Sequence, residues 1–170
     1  MATARLRGRA VTDRDLAYVI AIDTDWDIQK SLFRTIATPA ESRERLDRWL
    51  QMWSKHGFGF WIFRDSSGNE VGHAGLFPSR HDANWIEIGY VLKPPYWNLG
   101  YATELGMSIL GLGFEQFRFP QIVAVAHADN VASRHVMEKC GLSFDREFMY
   151  ADKWPSFLYV AKRDAWLASR

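Results

Sequence analysis

The sequence predicts an α+β fold, a mixed β-sheet with helices on both faces. Three patterns support this prediction: a β-hairpin in the first half of the chain, a strand that leads through a glycine turn into a helix, and a second strand followed by a capped helix. The chain has 170 residues, of which 48% are hydrophobic, so it can bury a core of its own. No repeat or linker interrupts it, and we expect one domain over residues 1–170.

The N-terminal segment predicts a strand and a first helix. Arginines alternate along the strand at Arg5, Arg7 and Arg9, a spacing that places them on one face. A solvated edge that resists pairing with another strand explains them more simply than a phosphate clamp does. Thr12 is suited to cap a helix that runs to about Asp23.

A second helix is predicted to begin at Pro39, capped by Thr38, and to end before Gly57. Its apolar residues form one stripe, made of Leu46, Trp49, Leu50 and Trp53. The preceding segment, 25–37, is ambiguous and fits no single element.

Strands make up much of the remaining chain. Residues 58–64 and 70–77 predict a hairpin around the turn at 65–69. The later elements follow in this order: a strand at 85–92, a helix at 101–117, a strand at 121–126, a helix that Gly141 ends, and strands at 144–150 and 157–162. The last two strands could pair in antiparallel fashion.

The centre of the chain predicts an anion site. An apolar strand stops at Pro94 and Pro95, and a turn containing Gly100 then opens directly into a helix. The first N–H groups of a helix lack partners within it, and the helix dipole adds partial positive charge there. A Rossmann fingerprint would need glycine at three spaced positions and a nucleotide P-loop would need Gly-Lys-Ser/Thr, and this segment has neither.

Two motifs, in this order along the chain, resemble those of a known family. Residues 97–102 follow the pattern Gln/Arg-x-x-Gly-x-Gly/Ala except at the first position, which is Trp97. Residues 130–142 follow the pattern Asn-x-x-Ser-Arg…Gly. With the opening segment 6–16, they resemble the GNAT superfamily of N-acetyltransferases and its Rim-type branch, which modifies ribosomal-protein N-termini. The resemblance covers nearly the whole chain and implies a mostly antiparallel sheet of about six to seven strands with a splayed central pair.

The same resemblance implies acetyl-CoA as co-substrate, and the spacing of the histidines separately predicts no metal ion. The pyrophosphate would bind the glycine turn and the start of its helix, at Trp97, Asn98, Leu99, Gly100, Tyr101, Ala102 and Thr103. The pantetheine arm would pair with the strand at Tyr90, Val91 and Leu92, where the family offers a backbone N–H to the oxyanion. Gly89 would allow a bulge there, and Asn130 would bind the pantetheine amides.

Glu87 is the best candidate for the general base. It is the one acid in an otherwise apolar strand, and it points to the face opposite Ile86 and Ile88. A partly desolvated carboxylate at this position would suit proton abstraction from an ammonium group. An exposed polar position on a half-solvated strand is the alternative, and the sequence favours neither.

A second candidate catalytic residue is Ser133, which would serve the leaving thiolate. Much of the superfamily places a tyrosine where this chain has Met137, which cannot donate a proton. Ser133 matches the serine that the Rim-type branch uses instead. Ser133 and Asn130 could also simply cap the helix, a role that is compatible with cofactor contact.

The acceptor is an amine whose identity the sequence leaves open between a protein N-terminus and a small molecule. Asp23, Asp25 and Asp27 could attract a polyamine, although a solvated loop explains them more simply. Several aromatic residues fall in the region that forms the acceptor side in the family. Most should be core and a few could line a pocket: Trp26, Phe33, Trp49, Trp53 and Trp61.

Composition narrows the remaining classes of function. The net charge of +1 is too small to indicate nucleic-acid binding, and the sequence shows no signal peptide or transmembrane run, so we expect a cytoplasmic protein without a membrane partner. Cys140 is the only cysteine and is expected to be a small buried residue. The histidines lack metal-ligand spacing. His127 could act as an auxiliary base, but a structural role is the simpler interpretation.

The sequence therefore predicts an N-acetyltransferase that transfers the acetyl group of acetyl-CoA to a primary amine by direct attack in a ternary complex. The alternative is a non-catalytic acyl-CoA-binding module, which the methionine at Met137 favours and which Glu87 and Ser133 oppose. A nucleotide-binding protein is a weaker alternative because no reader of a ribose or base is evident. Whether the chain forms a homodimer stays open.

Overall fold

The computed structural model describes residues 1–82, 84–150 and 154–169 of the chain. Within these residues there are seven strands: β1 (Arg7–Ala10), β2 (Phe60–Arg64), β3 (Glu70–Pro78), β4 (Ile86–Leu92), β5 (Gln121–His127), β6 (Ser143–Tyr150) and β7 (Trp154–Lys162). The same ranges contain six α-helices: α1 (Leu16–Thr24), α2 (Trp26–Ser31), α3 (Pro39–His56), α4 (Tyr101–Gly111), α5 (Val131–Lys139) and α6 (Arg163–Ala168).

Hydrogen bonds join the strands into one sheet in the order β1-β2-β3-β4-β5-β7-β6. The pairs β1–β2, β2–β3, β5–β7 and β6–β7 are antiparallel, whereas β4 and β5 are parallel. This central parallel pair shares one register position, at which Glu87 lies opposite Val123. The predicted α+β class and the mostly antiparallel mixed sheet are confirmed, and a ladder of one register position is what a splayed central pair produces.

One compact unit of the fold consists of Met1–Gly75 and Tyr90–Tyr101. In this unit α1 packs against α3. The core is apolar and includes Leu6, Val19, Ile22, Ile28, Leu46, Ile62, Phe63 and Val71. The apolar stripe of α3 thus faces this core, as its helical spacing predicted.

The other unit consists of Leu76–Gly89 and Ala102–Arg170. Here α5 packs against β5 and β6, and α6 packs against β7. Its buried apolar residues include Leu76, Leu105, Ile109, Leu110, Phe114, Ile122 and Leu158. Both β3 and β4 run from one unit into the other, and a single domain over residues 1–170 stays a prediction.

Local signals at the ends of α3 are confirmed. Thr38 and Glu41 form a capping box, in which the Thr38 backbone N–H donates to a Glu41 carboxylate oxygen at 2.7 Å. Pro39 occupies the first turn, where its missing N–H costs nothing. Gly57 ends the helix at φ +72°, in the left-handed conformation that glycine adopts without strain.

Other boundaries differ from the predicted ones. A 3-10 turn at Asp13–Asp15 precedes α1, because the Asp15 carboxylate accepts hydrogen bonds from both the N–H and the hydroxyl of Thr12. The ambiguous segment contains α2, whose start is capped by the Asp25 side chain. The helix α6 was not predicted, because its six residues are too few to show a periodic pattern.

The helix predicted at 101–117 is divided into α4 and a π-helical turn at Leu112–Gln116. The guanidinium of Arg163 binds this turn by donating to the Phe114 carbonyl at 2.8 Å. Across residues 1–82, 84–150 and 154–169, no helix combines the length and apolar character needed to cross a membrane.

Candidate active-site residues

The predicted anion turn lies between the end of β4 and the start of α4. A 3-10 turn at Pro94–Tyr96 ends the strand, and two residues of the following turn have positive φ, Asn98 at 61° and Gly100 at 79°. Asparagine and glycine are the residues that tolerate this conformation best. Successive amides in a turn of this kind can form a concave surface of N–H donors. The helix α4 begins directly after the turn, at Tyr101.

Trp97, the residue that departs from the family motif, has a structural hydrogen bond. Its indole N–H donates to the Leu92 carbonyl at 2.8 Å. The neighbouring Tyr96 hydroxyl donates to Asp65 at 3.1 Å. These two bonds hold the segment after β4 in place, and the single donor of the Trp97 side chain is used within the protein.

The three alternating arginines of the N-terminal segment have three different sets of partners. Arg9 forms an ion pair with the buried Asp15, at 2.7 Å from its Nη1. Arg7 donates to the carbonyls of its own segment. Arg5 lies before β1 and donates from Nη1 to the Leu99 carbonyl, within the anion turn, at 3.0 Å. All three arginines are exposed and β1 is an edge strand, so the predicted solvated edge is confirmed for Arg7 and Arg9, whereas Arg5 lies outside the strand.

The last three residues of β4 lie close against β3 in the same unit. A Cβ added to Gly72 of β3 would stand 2.1 Å from the Val91 carbonyl oxygen, closer than any real contact. The Lys93 N–H donates to the Val71 carbonyl at 2.9 Å just beyond. Glycine at position 72 thus permits the close approach that holds Tyr90, Val91 and Leu92, the predicted pantetheine-binding residues, in the sheet.

Glu87, the candidate base, is buried, with 7% of its surface exposed. It lies in β4, directly opposite Val123 of β5 in the register of the parallel pair. The alternative of an exposed polar position on a half-solvated strand is therefore wrong. Apolar β-strands rarely bury a carboxylate without a functional or pairing reason. The catalytic role of Glu87 stays a prediction, and an exposed surface position no longer competes with it.

Asn130 and Ser133 lie together at the start of α5. The Asn130 side-chain oxygen accepts the Ser133 backbone N–H at 3.0 Å, which makes Asn130 the N-cap. The predicted capping role of Asn130 is thereby confirmed, and contact of either residue with the cofactor stays a prediction. Met137, one turn further on, is 3% exposed.

His127 is at the end of β5. Its Nδ1 accepts the Asp129 backbone N–H at 3.2 Å. This hydrogen bond gives His127 a structural role just before α5, and a part in catalysis stays a prediction.

Two of the three acidic residues that could attract a polyamine, Asp23 and Asp25, form structural bonds. Asp23 is 2% exposed and accepts from the Ser42 hydroxyl and from Arg45 Nε, each at 2.9 Å. Asp25 caps α2 through the Ile28 N–H. A solvated loop is thus the wrong description of Asp23, and this carboxylate is already neutralised by its arginine.

The predicted acceptor-side aromatics divide by burial. Trp49 and Trp61 are core residues at 6% and 8% exposure, and the Trp53 indole N–H donates to the Phe60 carbonyl at 3.0 Å. Trp26 and Phe33 are exposed, at 57% and 39%. Of these five aromatic residues, Trp26 and Phe33 are therefore the ones that expose a large apolar surface.

A buried Tyr18–His73 pair was not predicted as a pair. The Tyr18 hydroxyl lies 3.0 Å from His73 Nδ1, and the His73 ring packs against Trp49 and Phe60. Burial, reinforced by nearby arginine charge, lowers the pKa of His73 to about 3, so its ring is neutral in the folded protein. One indication of this pair was present in the sequence, the histidine within the apolar run of β3.

This histidine should make folding stability depend on pH. Its unfolded pKa is near 6.5 and its folded pKa is lower, so stability is full above about pH 6.5 and falls as the pH decreases, by about 1.4 kcal/mol per unit. Between about pH 7 and pH 5 we expect a loss of about 2 kcal/mol from this group. Urea unfolding at both pH values measures it, and His73→Phe should remove that share of the dependence. An identical pH dependence in wild type and variant would contradict the assignment.

In the part of the chain that the structure describes, no group of three or more His, Cys, Asp or Glu residues is arranged to hold a metal ion. Cys140 is buried, and desolvation raises the pKa of its thiol to about 12, so it is a poor nucleophile.

The chain is similar to known proteins in sequence and in fold, and these similarities identify its family. Residues 5–143 match the acetyltransferase (GNAT) domain. The chain is 28% identical over 170 residues to the Bacillus subtilis protein YkkB, covering 98% of this chain and 96% of that one. An acetyltransferase of the GNAT family from Bacillus anthracis has the same fold, with a TM-score of 0.79, 24% identity and coverage of 96% and 98% of the two chains.

A spermidine N-acetyltransferase from Vibrio cholerae, solved with CoA and spermine, also shares the fold. It superimposes with a TM-score of 0.79 at 16% identity, over 96% of this chain and 99% of that one. The matched domain spans most of the chain, including the anion turn, Glu87 and the start of α5. The chain therefore belongs to the GNAT acetyltransferase family and is an N-acetyltransferase.

Proposed function

We propose that the protein transfers the acetyl group of acetyl-CoA to a primary amine, by direct attack in a ternary complex. The observation that carries this proposal is the turn with positive φ at Asn98 and Gly100, placed between β4 and the first residue of α4. This arrangement presents backbone N–H donors and a helix N-terminus, which together suit a diphosphate. The family match over residues 5–143 supports the same cofactor.

The cofactor would contact three parts of the chain. Its diphosphate would bind the amides at the start of α4, Leu99, Gly100, Tyr101, Ala102 and Thr103, with Trp97 and Asn98 shaping the turn. Its pantetheine arm would pair with the backbone of Tyr90, Val91 and Leu92, whose position Gly72 and Val71 fix. Asn130 and Ser133, held by the α5 cap, would bind the pantetheine amides and the sulfur.

The chemistry then needs one base, one oxyanion donor and one group at the sulfur. The amine nitrogen attacks the thioester carbonyl carbon while Glu87 takes the proton that the nitrogen loses. A backbone N–H of the last β4 residues stabilises the oxyanion, and such donors contribute about 3 kcal/mol. When the C–S bond breaks, the thiolate of CoA leaves and Ser133 or solvent stabilises it.

For the acceptor we propose an α-amino group of a protein, as in the Rim-type branch. Two of the three carboxylates that could attract a polyamine, those of Asp23 and Asp25, are used inside the protein. An α-amine has a pKa near 8, so roughly a tenth of it is already neutral at pH 7, whereas an alkylamine is almost wholly charged. For an α-amine, a single buried carboxylate such as Glu87 is therefore a sufficient base.

The test is release of CoA thiol with a panel of amines. Peptides with a free N-terminus are compared with the same peptides carrying a formylated N-terminus, and spermidine represents the small-molecule class. We expect thiol release with free peptides and none with blocked ones. Turnover of spermidine alone would overturn the choice of acceptor, and binding of acetyl-CoA without turnover of any amine would support a non-catalytic acyl-CoA-binding module.

A further inference from the structure

Arg5 is fixed on the anion turn by two contacts. Its Nη1 donates to the Leu99 carbonyl at 3.0 Å, and its guanidinium carbon lies 4.0 Å from the centre of the Tyr101 ring. Its Nη2 stands 3.6 Å from the point where a Cβ on Gly100 would be. A guanidinium is thus held beside each of the three residues that end the turn and start α4.

The hydrogen bond to Leu99 also orients the next amide. In a trans peptide the carbonyl and the N–H point in opposite directions. Because Arg5 binds the Leu99 carbonyl, the N–H of Gly100 is directed to the other side of that peptide. The guanidinium therefore fixes the orientation of the N–H of Gly100, a residue at φ +79° whose lack of a side chain would otherwise let its backbone adopt other conformations.

Arg5 brings a positively charged side chain to the turn, although the first position of the turn's motif carries no charge in this chain. Trp97 stands where the family motif has Gln or Arg, and its N–H is bonded to Leu92. Lys93, the nearest lysine along the chain, pairs with Glu70 at 3.0 Å. Arg5 approaches the turn from the N-terminal segment, 94 residues away in sequence from its Leu99 partner.

We propose that Arg5 is a positioning residue for the cofactor diphosphate, and that it raises affinity by fixing the Leu99–Gly100 peptide and by adding a positive charge to the turn. The inference rests on the proposed function, because it assumes that the turn binds the diphosphate of acetyl-CoA. A purely structural Arg5 would only tie the N-terminal segment to the turn, and its loss would lower stability without a specific effect on the charged cofactor.

The chain offers a matched control in Arg7. Arg5 and Arg7 are both exposed arginines of the same segment, but Arg7 donates to the nearby carbonyls of Thr3 and Leu6 instead of to the turn. Arg5→Gln and Arg7→Gln each remove one positive charge from this segment, and only the first removes it from the turn. Thermal melting of both apo proteins shows whether either change harms the fold.

The experiment is calorimetric titration of the wild type and both variants with acetyl-CoA, at low and at high salt. We expect Arg5→Gln to raise Kd about tenfold and Arg7→Gln to leave it within about twofold. High salt should shrink the difference between Arg5→Gln and the wild type, since it screens an exposed charge. If Arg5→Gln does not fold, Arg5→Lys, which keeps the charge but not the planar donor group, should raise Kd about threefold.

Equal affinities in all three proteins, or equal losses in both variants, would overturn the role of Arg5 while leaving the proposed function intact. Absence of acetyl-CoA binding to the folded wild type would instead overturn the proposed function, and the role of Arg5 with it. Wild-type binding with a specific loss in Arg5→Gln supports both.

Discussion

Replacing Gly100 with glutamate is expected to abolish acetyl-CoA binding and turnover together. Gly100 has φ +79°, which costs a residue with a side chain roughly 1 kcal/mol or more. The glutamate would also place a carboxylate at the entrance of a turn proposed to hold a diphosphate, where two negative charges repel strongly at short range. We expect at least a hundredfold loss of affinity, which is roughly 3 kcal/mol, measured by calorimetry.

Gly68→Glu is the matched control for this change. Gly68 has φ +85° and lies in the turn between β2 and β3, where a Cβ would meet nothing within 4 Å. The control therefore carries the same backbone strain and the same new charge, away from the start of α4. Acetyl-CoA affinity in Gly68→Glu should match the wild type. If both variants lose affinity equally, the loss reports a general effect of strain or charge and the turn is not the diphosphate site.

Replacing Glu87 with glutamine is expected to lower turnover at least tenfold at neutral pH, with acetyl-CoA affinity unchanged. The substitution keeps size and shape but removes the carboxylate that would take the amine proton. The deficit should shrink as the pH rises, because more of the acceptor amine is then neutral without help from a base. Steady-state rates over a pH series, with Kd measured in parallel, test both parts.

Asp15→Asn serves as the matched control, since Asp15 is also a buried carboxylate, at 5% exposure, but is bound to Arg9 and Thr12. It should lower the unfolding temperature and leave the rate per folded molecule unchanged. A pH-independent deficit in Glu87→Gln, or turnover equal to the wild type, would remove Glu87 from the mechanism.

Local signals were enough to predict most of the fold. Thr38 and Gly57 mark the two ends of α3, because each signal depends only on residues a few positions away from it. The turn at 65–69 and the end of the helix at Gly141 could likewise be predicted, because neighbouring residues determine them. By contrast, α2 and α6 have six residues each, which is too short for a periodic pattern.

Site residues were predictable when they belong to a motif and not when a distant partner decides their role. Gly100 could be found from the strand, the prolines and the helix that follows. Arg5 could not, because its partner Leu99 is 94 residues away and its spacing with Arg7 and Arg9 indicates a strand face. The burial of Glu87 and the ion pair of Asp23 with Arg45 likewise depend on tertiary packing.

The most direct test of the central claim is calorimetric titration of the folded protein with acetyl-CoA, with NAD and ATP as controls under the same conditions. The proposed diphosphate turn and pantetheine-binding strand predict micromolar binding of acetyl-CoA and no comparable binding of either control. Absence of acetyl-CoA binding, or equal binding of all three ligands, would contradict the claim that the turn at Gly100 is built for this cofactor.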